Sequence, residues 1–202
     1  MPELLTPFWS IGLVGLVAYM IGSIPFGVVV ARVMGLGDLR AIGSGNIGAT
    51  NVMRTGNKLA GALTFALDAG KGAIAALISW AVFGEDAAQA AALAAFLGHL
   101  YPVYLGFMGG KGVATFIGTA LALAWPVALG VCAIWALVFR LSRTSSLAAL
   151  VASAMSPVLA LMLGYPSMAA LFGVLTLMIF YKHIDNIRRL LTGTEARFDR
   201  KR

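Results

Sequence analysis

Four short stretches of this chain carry side chains suited to gripping anions. Lys111 stands in Gly-Gly-Lys-Gly (109–112), a cation ringed by backbone that lacks side chains. A second stretch, Ser44-Gly45-Asn46-Ile47-Gly48-Ala49-Thr50-Asn51, is followed by Arg54. Glycine and asparagine admit positive φ, so successive N–H groups can turn inward as a nest while hydroxyls and amides add donors. Arg54 can take a phosphate through two parallel hydrogen bonds, whereas the Lys111 ammonium acts as a point charge. Ser145 and Ser146 follow Arg143 at an expected helix start, where they can either cap the helix or add donors for an anion. His183 and Asn186 are three residues apart and share a helix face, which presents imidazole and amide together. An imidazole can bind phosphate or move a proton near neutral pH.

Several chemistries are excluded by the same residues. The first glycine of a P-loop is replaced by Leu105, and Gly112 rather than Ser or Thr follows the lysine, so the nucleotide motif fails. Two histidines without an Asp/Glu cluster make no metal site, and the lone Cys132 lies in an apolar run, so no cofactor or metal is expected. Asp68 and Lys71 are three apart inside an apolar run and are expected to neutralise each other as a structural ion pair. His99 is expected to be a hydrogen-bonded interior residue.

The elements that position these groups must be membrane helices. Of 202 residues, 60% are hydrophobic and 11% charged, against about 25% charged in soluble domains. The apolar runs show no polar alternation, which excludes a β-barrel. The expected fold is an all-α polytopic bundle forming a single domain (1–202), with seven spans at 8–33, 59–83, 87–106, 113–124, 126–139, 145–163 and 167–181. The run from residue 8 is read as an anchor, since Glu3 spoils a signal leader. Pro126 would break a single helix over 113–138, so two short central helices are expected there. That choice puts Lys111, Arg140 and Arg143 on one side, with Glu3, Glu85 and Asp86 on the other. The positive-inside rule then sets the N-terminus outside and the C-terminus in the cytoplasm. The net charge of +7 falls between spans rather than along a soluble face, which argues against a nucleic-acid partner. The tail cluster Arg197, Arg200, Lys201 and Arg202 serves as a topology signal that also suits anionic membrane lipid.

With this topology the four donor stretches share one membrane face and outnumber what one phosphate requires, which predicts two anionic groups held side by side. An anion transporter would need polar residues through the membrane depth, and the outer loops here are acidic.

Ser44 to Asn51, the stretch His99 to Thr115 (HLYPVYLGFMGGKGVAT) and His183-Ile-Asp-Asn-Ile-Arg-Arg-Leu with Gly193 and Glu195 resemble the three signature segments of the bacterial acyl-phosphate:glycerol-3-phosphate acyltransferases. The resemblance extends over nearly the whole chain, through Arg54-Thr-Gly, Leu67-Asp-Ala-Gly-Lys-Gly and Ser145-Ser-Leu. It implies an inner-membrane enzyme with its active site on the cytoplasmic face. That enzyme transfers a fatty acyl group from acyl phosphate to glycerol 3-phosphate, giving 1-acylglycerol 3-phosphate for phospholipid synthesis. Carried over by motif, Ser44, Gly45, Asn46, Gly48 and Thr50 would cradle the acyl-phosphate head, beside Asn51. Arg54, Lys111 with Gly110, His183 and Asn186, with Ser145 or Ser146, would hold glycerol 3-phosphate. Met108 and Lys182 stand where family members often have Lys and Arg. No Ser or Cys here has a recognisable His/Asp partner, so direct attack without an acyl-enzyme is expected. The proton of the attacking hydroxyl would go to His183 or to a substrate phosphate.

Overall fold

The computed structural model of the protein describes residues 5–198, and all regular structure among them is helical. Glu3, Arg200, Lys201 and Arg202, to which the sequence gave roles, lie outside the described residues. The chain forms two compact units, one ending at Leu123 and the other starting at Ala124.

In the first unit the apolar run expected to be one helix over 8–33 is two, α1 (Phe8–Gly22) and α2 (Phe26–Val33). Pro25 explains the correction: it has no N–H to continue the ladder. The break leaves a carbonyl at Ile24, and the Lys71 ammonium donates to it at 2.9 Å. The polar stretch after α2 is folded rather than a plain connector. A short 3-10 turn (Leu39–Ala41) and α3 (Ala49–Met53) press Leu39 and Val52 into an apolar cluster with Val30, Ala31 and Ala60. Helix α4 (Lys58–Phe83) starts at Asn57, whose side chain accepts the Ala60 N–H at 3.0 Å as an N-cap. Gly84, at φ 101°, ends α4 and admits α5 (Glu85–Leu100). Asp86 was expected in a loop but is buried in the first turn of α5. Its carboxylate accepts the backbone N–H groups of Leu5 and Thr6 and the Thr6 hydroxyl, which ties the start of the chain to α5.

Small residues let these helices approach closely, as suits packing in lipid, where apolar burial itself drives little association. A Cβ on Gly22 would overlap the Ala95 carbonyl, and one on Gly98 the Tyr19 carbonyl, so α1 lies against α5. Gly118 of α6 (Val113–Leu123) sits on the Ala69 carbonyl in the same way, and Thr115 Oγ1 donates to the Asp68 carbonyl at 2.9 Å.

The second unit holds α7 (Trp125–Ser142), α8 (Ser145–Met162), α9 (Pro166–Lys182) and α10 (Ile184–Leu191). The break expected before Pro126 is present at Ala124. Only α6 is short, however. With 18 residues α7 is not the short arm expected, because its helix continues through Arg140 to a left-handed Arg143 at φ 57°. A basic residue in the last turn suits the negative end of the helix dipole, so the charge at Arg140 does not stop it. Pro157 lies inside α8 and leaves the Ser153 carbonyl without its ladder donor. The hydroxyls of Ser156 and of Thr176 on α9 both donate to that carbonyl, each at 2.7 Å. After α10 the chain turns back onto α7, where the Phe198 N–H donates to the Arg143 carbonyl at 2.9 Å and its ring packs edge-on against Phe139.

Among the described residues five helical runs are long and apolar enough to cross a membrane. A sixth arises if α9 and α10, bent by 64°, count as one, and the 11-residue α6 is too short alone.

Candidate active site

In the first unit Asn51 organises the glycine-rich stretch. Its side chain is buried at 1% exposure. Oδ1 accepts the Ser44 N–H at 3.0 Å and the Ser44 hydroxyl at 3.3 Å, while Nδ2 donates to the Leu39 carbonyl at 2.9 Å. Asn51 therefore shapes the loop from beneath and does not present its amide outward. The loop also uses other donors that a nest would offer: Gly45 N–H bonds Ile42 O at 2.9 Å, and Gly48 N–H bonds Asn46 Oδ1 at 3.1 Å. Besides Asn46, whose Oδ1 is used within the loop, the segment carries the Ser44 and Thr50 hydroxyls and Arg54 at exposed or half-buried positions. Gly43 has φ 56°, and a Cβ there would meet Asn51 Oδ1 at 2.5 Å and Arg54 Cδ at 2.7 Å. Its missing side chain lets Arg54 lie along the loop.

The segment reaches the second donor stretch through Arg40, whose Nη2 donates to the Met108 carbonyl at 2.7 Å. The turn carrying Lys111 is tied back to the end of α5, with Gly109 N–H bonded to Leu100 O at 3.2 Å and Gly110 N–H to His99 O at 3.0 Å. Gly112, at φ 85°, packs on Phe96 and starts α6. As expected, His99 is interior and Asp68 pairs with Lys71, at 3.0 Å.

In the second unit the groups gather on Glu195. Its carboxylate accepts the Ser146 hydroxyl at 2.7 Å, the Asn186 amide at 2.5 Å and Arg189 Nε at 2.7 Å. Burial pushes the Glu195 carboxyl up, but these three donors outweigh it and hold it below the ordinary value. Ser146 thus does not cap α8, and Ser145, its half-buried neighbour, begins that helix. His183 sits at the bend between α9 and α10 and is buried at 4% exposure. Its Nδ1 lies 2.8 Å from the Ile179 carbonyl. A carbonyl only accepts, so Nδ1 carries a hydrogen, and in the neutral ring Nε2 is then the nitrogen with acceptor character.

The sequence singled out Ser44, Arg54, Lys111, Ser146, His183 and Asn186 as candidates, but gave no role to Arg40 or Arg189 and offered Glu195 only as part of a signature. A lone acid among Arg188, Arg189 and Arg197 was the available signal for Glu195. Arg40 carried none, since its partner is a backbone carbonyl.

The model of the family described as glycerol-3-phosphate acyltransferase matches residues 12–193. The chain belongs to the glycerol-3-phosphate acyltransferase family. Among its relatives, the glycerol-3-phosphate acyltransferase of Jannaschia sp. (strain CCS1) is 59% identical over 97% of each chain. That of Brucella canis is 54% identical over 96% of this chain and 97% of the relative. Two crystal structures of PlsY (YgiH), an integral membrane glycerol 3-phosphate acyltransferase, share the fold. The glycerol 3-phosphate form aligns with a TM-score of 0.89 at 44% identity, covering 94% of this chain and 96% of that one. The lysophosphatidic acid form aligns at 0.86 and 41%, with the same coverage. The matched range contains all four donor-bearing stretches.

Proposed function

We propose that this chain transfers a fatty acyl group from acyl phosphate to glycerol 3-phosphate, releasing phosphate and 1-acylglycerol 3-phosphate, as an early step of phospholipid synthesis. The observation that carries the reading is its likeness to an integral membrane acyltransferase solved with glycerol 3-phosphate and with lysophosphatidic acid. Acyl phosphate is an activated donor, so the protein mainly has to align two repelling anions and stabilise charge as attack proceeds. In our assignment the Ser44–Thr50 segment takes the acyl-phosphate head. Arg54, Lys111, His183 and Asn186 take glycerol 3-phosphate, with Ser146 preferred over Ser145 because its hydroxyl and the Asn186 amide meet on Glu195. The glycerol hydroxyl attacks the acyl carbon directly, and the bond to the phosphate oxygen breaks. The His183 tautomer supports Nε2 as the atom that accepts the hydroxyl proton. The whole chain would act as one acyltransferase domain in the bacterial inner membrane, crossing seven times with the C-terminus and the reacting groups on the cytoplasmic side.

Purified protein incubated with palmitoyl phosphate and glycerol 3-phosphate should release phosphate and lysophosphatidate in equal amounts without any carrier thioester. A strict requirement for acyl-CoA or acyl carrier protein would reject this donor assignment.

A further inference from the structure

The turn that carries Lys111 lies on a buried charged cluster that plain membrane packing does not require. His99 is 4% exposed, Asp68 2% and Lys71 3%. Charges at such depth are costly and are retained where they have a task. The three groups are linked in sequence. The Lys71 ammonium, fixed by the Ile24 carbonyl at the α1–α2 break, lies 3.0 Å from Asp68 Oδ1. The same oxygen lies 3.5 Å from His99 Nδ1. The opposite edge of the His99 ring faces the turn, where a Cβ on Gly110 would overlap Nε2 and come within 2.9 Å of Cε1 and 3.1 Å of Cδ2. Gly110 therefore rests its backbone on the imidazole edge, and the next residue is Lys111. The backbone bonds from Gly109 and Gly110 hold the turn at the end of α5.

We propose that His99 is a positioning residue for glycerol 3-phosphate binding: its ring, oriented by Asp68 and Lys71, supports Gly110 and so sets the height of the Lys111 ammonium. This rests on the assignment of Lys111 to glycerol 3-phosphate. It adds a role for the embedded charges, which otherwise only neutralise one another.

The test is kinetic, on full-length protein with palmitoyl phosphate, varying each substrate in turn. His99→Asn keeps a polar atom near the Nδ1 position for Asp68 but removes the atoms beneath Gly110. It should raise KM for glycerol 3-phosphate about tenfold while KM for palmitoyl phosphate stays within about twofold. His99→Gln, which reaches the Nε2 position, should recover part of the loss and serves as the second variant if His99→Asn does not fold. Gly110→Ala should raise the same KM in the wild-type background and cost much less beside His99→Asn, because the ring it meets is gone. Unchanged KM for glycerol 3-phosphate in the folded His99 variant, or additive effects of the two changes, overturns the proposal. A lower thermal midpoint with both KM values unchanged does so too, since it marks a purely structural histidine. Lys111→Ala run in parallel separates the two readings. If it stays active, the Lys111 assignment falls and takes this inference with it. If it is inactive while the His99 variants are normal, only this inference falls.

Discussion

Each unit has a side chain on which its polar groups converge, and the two are built oppositely. Asn51 is neutral and bonds mostly backbone within 12 residues of itself, through Ser44 N–H and Leu39 O. Glu195 is charged, and its carboxylate bonds the side chains of Asn186, Arg189 and Ser146, the last 49 residues away. The amide fixes the path of a loop, and the loop then presents Ser44 and Arg54. The carboxylate orients candidate ligand groups directly, so its charge enters their behaviour. An uncharged hub suits the anion-holding role proposed for this segment, because a buried carboxylate there would repel an anion. Glu195 can be tolerated because Arg189 offsets its charge.

Four substitution experiments put this contrast to the test. The largest effect is expected at the cations that the first unit presents: Lys111→Ala or Arg54→Ala should lower acyl transfer by at least about a hundredfold, the scale for removing a donor from developing charge. Both proteins should still extract from membranes as folded material, and full activity in either would remove that residue from the site. Next comes Asn51→Leu, which strips the Ser44 N–H of its side-chain partner and leaves the Leu39 carbonyl with the longer 3.4 Å bond from Ile42 N–H. At about 1–3 kcal/mol for a stranded group, the thermal midpoint in detergent should fall by several degrees, with weaker substrate binding. An unchanged midpoint would mean that the loop does not depend on its hub.

Glu195→Gln should be milder near neutral pH and should depend on acidity. The folded carboxyl titrates below the ordinary glutamate value of 4.5, so its stabilisation is complete above that value and is lost as pH falls through the lower folded value. The midpoint difference between wild type and Glu195→Gln should therefore be constant above pH 4.5 and shrink below it; a difference that grows on acidification contradicts the sign. The smallest effect belongs to Thr176→Val. Ser156 still serves the Ser153 carbonyl, so a loss of about 1 kcal/mol or less is expected. A much larger drop in unfolding free energy would show that Pro157 depends on α9 rather than on its own helix.

Much of the helical frame was legible because a bilayer forces long apolar runs to be helices. The boundaries of α4, α6, α8 and α9 fall within one residue of those expected, whereas α5 stops at Leu100, six residues before the expected 106, because Pro102 follows and only a short 3-10 turn (Val103–Leu105) continues the run. Misreadings arose where one residue had two consequences. Pro25 looked like part of an anchor, because hydropathy does not register a missing N–H. Arg140 looked like a helix end, because charge does not register the favourable dipole of a last turn. The donor segments were legible as residue types. Their local roles were not: Asn51 appeared equivalent to Asn46 in the motif, yet one is a hub and the other accepts the Gly48 N–H within its own turn.

The chain by itself determined that it lies in a membrane, that its donors occur in four stretches, and to which family it resembles. Those properties follow from composition and local spacing, which do not depend on where distant residues meet. Tertiary structure alone decided that Lys71 caps the break at Ile24, that His99 lies under Gly110, and that Glu195 gathers Ser146, Asn186 and Arg189. Each of these joins residues between 6 and 49 positions apart, Arg189–Glu195 the nearest and Ser146–Glu195 the farthest, or sets a backbone against a ring. Such contacts arise only when helix packing brings their partners within a few ångströms, and no spacing along the chain encodes that distance.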